Sequence, residues 1–545
     1  MSALLKRPLL ALLLLMTAFV ALHSPGERKL FNPDEGRYSE ISREMAETGD
    51  FVTPRLNGLK YFEKPPLQYW ATAIAFKLFG ESEFTARLYI TLCGLGCILL
   101  VAYTGTRVFD DETGLYAGLV MLSALYVMLL NGIVVLDVGL TFWLTLAVSA
   151  LMISVYAAND AARRRWLWLA WAAMALAVLS KGLIGIVFPA AAVFLYCVVQ
   201  RDLSLIRRLE WVVGPLVFLA IVVPWFVLVW QANPEHPRFF FIHEHFERFL
   251  TTVHKREQPW WSFVALLLVG FLPWALALIP AAIRGWREVP VKRFAPHRFL
   301  LIYAIFILLF FSKSGSKLPH YIAPMFPVLT LVIAAYVKAC DPKRLAWFVL
   351  PVLPLTLWGA YATGPALAAR ANDFSRGMYA EVIPFAVAAV LMLAIAALLA
   401  FLLLRADKKS LGVAVLAVGT MMSIATFGRG AEHLSPIYSG YALSEKMKPH
   451  LTPETRLYSV GNYEQTLPFY IKRTITLVDY VDEFNMGQKL EPHLWIPKRE
   501  DFAAAWNAPG KAMAIIPPLE VDKMRALGIA FEVIHMDPRR AAIKK

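Results

Sequence analysis

The stretch PLLALLLLMTAFVALHSPGERKLFNPDEGRYSEISREM, residues 8–45, decides how this chain is read. A Leu-rich run ends, and within a few residues come Asp34, Glu35, Arg37, Glu40, Arg43 and Glu44. Charges gathered beside a membrane are costly to leave dry, so they must face water, one another or a ligand. The apolar run lies just after Lys6 and Arg7. It reads as an uncleaved first span in preference to a signal peptide, although small Ala18 and Ala21 stand near its end. On either reading, the loop beyond this run lies outside the cytoplasm.

The rest of the chain fits that opening. Of 545 residues, 58% are hydrophobic and 17% charged; a soluble domain is nearer half apolar, with about a quarter of its residues charged. Apolar runs near the roughly 20 residues needed to cross a bilayer as a helix recur at 8–23, 84–106, 114–130, 137–157, 165–180, 183–200, 211–230, 261–283, 299–312, 321–338, 345–362, 381–404 and 411–427. The expectation is a polytopic α-helical membrane protein with about thirteen spans.

The net charge of +14 does not point to nucleic acid. Arg163–Arg165, Arg201/Arg207/Arg208, Arg284/Arg287, Lys338/Lys343/Arg344 and Arg405/Lys408/Lys409 fall at alternate loops, as cytoplasmic loops require. The opposite, extracytoplasmic side receives loops 24–83 and 231–260, the turn at 312–320 and everything after about 428. Charges and strand-like runs return in 429–545 (TRLYSV, TITLVDY, AMAIIP, FEVIHM) with helical candidates between them. These predict a small α/β domain on the outer face, next to a transmembrane domain 1–428. Cys93, Cys97, Cys197 and Cys340 sit in or at the end of apolar runs and read as small buried hydrophobes.

Five constellations carry candidate chemistry. In NPDEGRYSEI, Asn32 is expected to cap a helix with Pro33 at its first position, and Arg37 and Tyr38 fall one turn on from Asp34. In YFEKPP, Pro65 forces Lys64 into extended backbone, with Glu63 and Lys64 pointing to opposite sides. Asp137 stands in an apolar run, where a carboxylate is functional by default. In HEHFERF, His243, His245 and Arg248 lie on an expected interfacial helix; the spacing is a weak zinc pattern. In SKSGSKLPHY, the cations Lys313, Lys317 and His320, beside Tyr321, crowd an outer turn against the positive-inside trend, as does Lys181 in an SKG turn. Carboxylates plus cations at an outer membrane surface suit sugar transfer from a lipid phosphate: cations hold the leaving group while a carboxylate orients the acceptor.

DEGRYSEI, YFEKPP, Asp137, HEHFERF and KLPHY, in that order, together with SVGNYEQTLPFYIKR at 459–473, resemble the polyprenyl-phosphate glycosyltransferases of the ArnT/PMT type, and most of all the lipid A aminoarabinose transferase family. The resemblance implies a GT-C fold in a bacterial inner membrane with its site facing the periplasm. It implies Asp34 and Asp137 as catalytic acids and Arg37, Lys64, Arg248 and Tyr321 around the lipid phosphate. Tyr38, Lys181, Lys313, Lys317 and His320 are further substrate-binding candidates. A structural divalent metal such as zinc would be sought at Glu63 with His243 or His245; catalysis is expected to need no cofactor. The implied partners are an undecaprenyl-phosphate-linked donor, 4-amino-4-deoxy-L-arabinose, and a lipid A acceptor, with the chain a monomer and polymyxin resistance the consequence. Two other readings stay open: a related transferase moving another sugar, such as mannose, onto protein or glycan, and a lipid-linked sugar transporter with inverted repeats and broken helices at the midplane.

Overall fold

The computed structural model describes the chain except for residues 1–2, 24–25, 27, 131, 248–257, 292 and 527–528. Each of the thirteen apolar runs falls on helix. The number of crossings is less uniform. Among the described residues, seven helices are long and apolar enough to cross a membrane, or eight if one bent pair counts as a span. That pair, Ser262–Gly270 and Ala275–Trp286, is bent by 103° beside Pro273, which has no N–H to continue a helix. Leu10–Phe19, Ile184–Gln200 and Met325–Ala339 are shorter apolar helices. Run 114–130 divides into Asp111–Leu122 and Leu125–Leu130. Most of the spans share one large apolar core, whereas Val213–Ala232 packs in a separate cluster with Phe62 and Val178, and all four described cysteines are buried and free.

The chain before the long helix Glu83–Val108 folds as helix Asp34–Thr48, a hairpin of β1 (Arg55–Leu56) and β2 (Leu59–Lys60), and helix Leu67–Phe79. Asn57 (φ 54°) and Gly58 (φ 80°) make the tight turn, left-handed conformations suited to that pair. Helix Asp34–Thr48 is rich in charge, yet Glu35, Glu40, Arg43 and Glu44 are all buried. Glu35 and Glu40 pair with guanidinium groups within the protein, and Glu44 accepts from the Gly58 N–H.

Helix Leu67–Phe79 and the hairpin bury helix Asp34–Thr48, together with helix Leu467–Ile471 of the C-terminal region, which is built on a sheet. Strands β3 (Arg456–Val460), β4 (Thr476–Val478), β5 (Trp495–Ile496), β6 (Ala512–Ile516), β7 (Glu532–Met536) and β8 (Ala541–Lys544) lie in the order β5-β4-β3-β6-β8-β7. The first four are mutually parallel, and β8 pairs antiparallel with β6 and β7. Strand order reverses between β3 and β6, the position where open α/β sheets commonly hold ligands beyond their carboxyl ends. Here the chain leaving β3 grips protein instead. The Asn32 side chain accepts from the Thr466 N–H (3.0 Å) and donates to Glu464, which also binds Arg540 at 2.5 Å. Gly36 lies so close that a Cβ there would stand 2.5 Å from the backbone carbon of Gln465.

Candidate active site

Two polar clusters lie near one end of the spans. The first is built on helix Asp34–Thr48. Arg37 donates to Asp34 (3.2 Å) and, across from the C-terminal sheet region, to Glu483 (3.2 Å). Glu483 also accepts from Gln465. Tyr38, Tyr61 and Tyr69 close round them, with Tyr38 and Tyr69 ring centroids 6.1 Å apart. Burial pushes all three phenols above their usual range, and the charge of Glu63 or Asp34 adds to that. Lys64 completes this side: its ammonium donates to Glu244 at 2.7 Å.

The second cluster is centred on Asp137, in the first turn of helix Leu136–Val155. Its two oxygens are shared between Lys181 Nζ at 2.5 Å and His320 Nδ1 at 2.7 Å. Lys181 ends its helix, where Gly182 (φ 100°) turns the chain, and its ammonium lies 4.6 Å from the centre of the Tyr321 ring. The carboxylate thus holds one ammonium and one imidazole, and an aromatic face covers the ammonium. The clusters are linked through Tyr38, which packs against two apolar groups, one containing Leu136 and the other Val138, the sequence neighbours of Asp137.

A third network explains how the first is anchored. Glu35 accepts from Arg87 (2.9 and 3.1 Å) and pairs with Arg28 at 2.7 Å. Burial pushes the Glu35 carboxyl up, but the two guanidinium groups outweigh it and hold the group down at about 2. Beside this network a cavity of about 400 Å³ opens; Arg28, Asn32, Asp34 and Glu35 form its polar end, and Leu129, Gly132, Ile133 and apolar residues within 421–431 its walls.

Several expectations need correcting. Asn32 does not cap the helix: Pro33 is the cap residue, without a side-chain bond, because the Asn32 amide is engaged by Glu464 and Thr466. Glu63 and Lys64 do not point apart. The Lys64 ammonium folds back onto the Glu63 carbonyl (2.7 Å) and lies 3.9 Å from its carboxylate. Lys313 is exposed at a helix end and Lys317 is tied to the Ser314 carbonyl at 2.7 Å, so neither joins Asp137. His243 stacks on Phe239 at 5.0 Å, in a π-helix Arg238–Glu247. Among the described residues no three His, Cys, Asp or Glu side chains gather to hold a metal ion, so the described geometry does not fit the Glu63/His243 metal set. Arg248 and the side chain of His245 lie outside the described residues.

The sequence reading passed over Arg87, a lone guanidinium in the run 84–106. The argument that singled out Asp137 applies to it equally. It also passed over Glu483, for which no local signal exists.

Residues 443–545 match the family described as aminoarabinose transferase C-terminal domain, and residues 9–240 match dolichyl-phosphate-mannose-protein mannosyltransferase. An undecaprenyl phosphate-alpha-4-amino-4-deoxy-L-arabinose arabinosyl transferase of Aeromonas salmonicida is 35% identical over 319 residues, 57% of this chain and 56% of that protein. The protein of the same name from Yersinia pestis is 34% identical over 336 residues, 61% of this chain and 59% of its own length. Each match thus spans less than two thirds of these relatives. The crystal structure of ArnT from Cupriavidus metallidurans bound to undecaprenyl phosphate superposes with a TM-score of 0.92 at 34% identity, covering 98% of this chain and 97% of that one. Superposing over nearly its whole length on that structure at 34% identity, this chain belongs to the ArnT family of membrane proteins with the GT-C fold.

Proposed function

We propose that the protein is a glycosyltransferase that moves a sugar, 4-amino-4-deoxy-L-arabinose, from undecaprenyl phosphate to a lipid A phosphate. The relatives' names and the undecaprenyl phosphate held by the Cupriavidus structure support the donor. The acceptor, the inner-membrane location, the periplasm-facing site, about thirteen crossings and a domain division near 428 belong to the same reading. A consequence is polymyxin resistance, since masking lipid A charge weakens binding of cationic peptides.

The observation that carries the mechanism is the position of Asp34. It borders the cavity on one side and is tied through Arg37 to the tyrosine-lined cluster on the other. In the reaction an acceptor phosphate oxygen forms a bond to the anomeric carbon as the bond to the donor phosphate oxygen breaks, and the electron pair leaves with the lipid phosphate. The acceptor is already ionised, so a strong base is unnecessary. Asp34, an anion facing a sugar that gains positive character, stabilises that charge and orients the sugar. Lys64, Arg37 and Tyr321 receive the departing phosphate, Lys64 exchanging Glu244 for it, and Arg248 assists. Asp137 acts through Lys181 and His320, fixing where their donors point. The polar groups gather at the outer surface rather than the midplane, which favours transfer over transport.

Asp34→Asn and Asp137→Asn are each expected to reduce transfer at least about 100-fold, the scale of losing one preorganised electrostatic group. The readout is mass spectrometry of lipid A from cells with matched expression. Near-normal modification in both variants would end the proposal.

A further inference from the structure

The imidazole of His320 is held at one nitrogen and open at the other. It stands in a short 3-10 turn, Pro319–Ile322, that packing fixes from both sides: the Tyr126 hydroxyl donates to the Pro319 carbonyl at 2.6 Å, and Ile322 is fully buried. Nδ1 lies 2.7 Å from Asp137. A carboxylate only accepts, so Nδ1 carries the hydrogen, and Nε2 is left to hold a lone pair or a second proton. Among the described residues no group bonds to Nε2, and the His320 side chain is 18% exposed where that of Asp137 is 3% exposed. The free nitrogen is therefore the part of this pair that a bound molecule can reach. The ring also stands edge-on to Tyr321, with 5.4 Å between centroids and planes at 83°.

Sugar transfer creates a use for that nitrogen. In the donor, the lipid phosphate is a diester with one negative charge. Once the sugar leaves it is a monoester, and a second charge builds on the oxygen that held the anomeric carbon. A phosphate monoester takes up its second proton near about pH 6, and imidazole is the side chain that ordinarily exchanges one between about pH 5 and 8. An acid matched to its leaving group transfers a proton most effectively. Resting on the transferase reading above, we infer that His320 is a catalytic acid of the transfer, giving its Nε2 proton to the departing lipid phosphate. As the bond from the anomeric carbon to the donor phosphate oxygen breaks, the electron pair stays on that oxygen, which takes the proton. The imidazole is left neutral, still bonded to Asp137 through Nδ1–H, and regains a proton from water after the lipid departs. Asp137 stabilises the protonated ring, and Lys181, on the other carboxylate oxygen, opposes it. The other titratable groups around the turn are Tyr126, Tyr321, Lys317, tied to the Ser314 carbonyl, and exposed Lys313. Helix Ser262–Gly270, which also packs on this turn, carries none.

Two amides separate the roles of the two nitrogens. In His320→Asn the amide nitrogen takes the place of Nδ1 and keeps the bond to Asp137, with nothing at Nε2. In His320→Gln the amide nitrogen reaches the place of Nε2 but cannot give up a proton. Both are measured as full-length protein in detergent, with undecaprenyl-phosphate aminoarabinose as donor and lipid A as acceptor, from about pH 5 to 9. In both, kcat is expected to fall about 100-fold, the lower end for loss of a general acid. The donor KM is expected to stay within about threefold, because Lys64, Arg37 and Tyr321 still hold the phosphate. Wild-type kcat is expected to decline toward high pH as Nε2 loses its proton, and that decline is expected to vanish in both variants. Ionisation of the acceptor phosphate acts on all three proteins alike, so the difference between profiles reports His320, and either variant alone carries this comparison. A role confined to orienting Asp137 predicts near-normal kcat in His320→Asn and loss only in His320→Gln. That result overturns the inference, as does a high-pH decline retained in either variant. Wild-type protein that consumes no lipid-linked donor would instead overturn the transferase reading.

Discussion

Gly36→Ala is the sharpest probe of how the C-terminal sheet region serves the site. In an ordinary helix this change stabilises by about 1 kcal/mol. Here the new methyl would stand 2.5 Å from the Gln465 carbonyl carbon and 2.6 Å from the Thr466 nitrogen. Both obstacles are backbone, so no rotamer change relieves them. Restoring a normal contact of about 3.4 Å needs the helix and the 464–466 segment to separate by roughly 1 Å. Overpacking of this kind costs about 1–3 kcal/mol, which outweighs the helical gain. The separation also strains the bonds of Asn32 to Glu464 and Thr466 and of Arg37 to Glu483. Arg37 and Asp34 move with the helix, and a displacement of about 1 Å at reacting groups can cost on the order of 100-fold in rate. The assay is donor turnover by purified protein, alongside thermal unfolding in detergent and limited proteolysis at the junction of 431–466. The expected result is a turnover loss of 10- to 100-fold with earlier cleavage at that junction. Turnover within twofold of wild type and unchanged cleavage would refute the argument, because the methyl would then have found room that the backbone does not leave.

Two more expected outcomes concern buried charge. Glu35→Gln removes the shared anion from Arg28 and Arg87; breaking a buried pair costs about 3–5 kcal/mol, so the unfolding midpoint should fall by several degrees, and a midpoint within one degree of wild type would contradict the network. Glu44 is buried beside Glu40 and Arg43; burial and then the charge of Glu40 raise its carboxyl to about 8. A group whose folded value is raised stabilises fully below its unfolded value near 4.5 and loses that contribution as pH climbs through the folded one. Thermal stability should therefore decline between about pH 5 and 8 by more in wild type than in Glu44→Gln; identical slopes would exclude this origin.

The amino-acid sequence by itself determined the membrane class, and it supplied the expected sidedness of the loops and the candidate chemistry-bearing residues. These are local signals: the length of an apolar run, the sign of a loop, a carboxylate such as Asp137 where lipid makes charge expensive. The run 459–473 and the strand-like stretches after 428 likewise announced the sheet, although β8 and the two-residue β5 did not stand out. What only the tertiary structure decided is which charge meets which. Lys181 reaches Asp137 from 44 residues away, Lys64 finds Glu244 across 180, and Glu483 takes hold of Arg37 across 446. No spacing rule spans such separations, because the partner of a buried charge is set by which elements pack together. The same packing settled that Asn32 serves the C-terminal sheet and not its own helix. It also left the cavity beside Asp34, a void that belongs to several segments at once and is written in none of them.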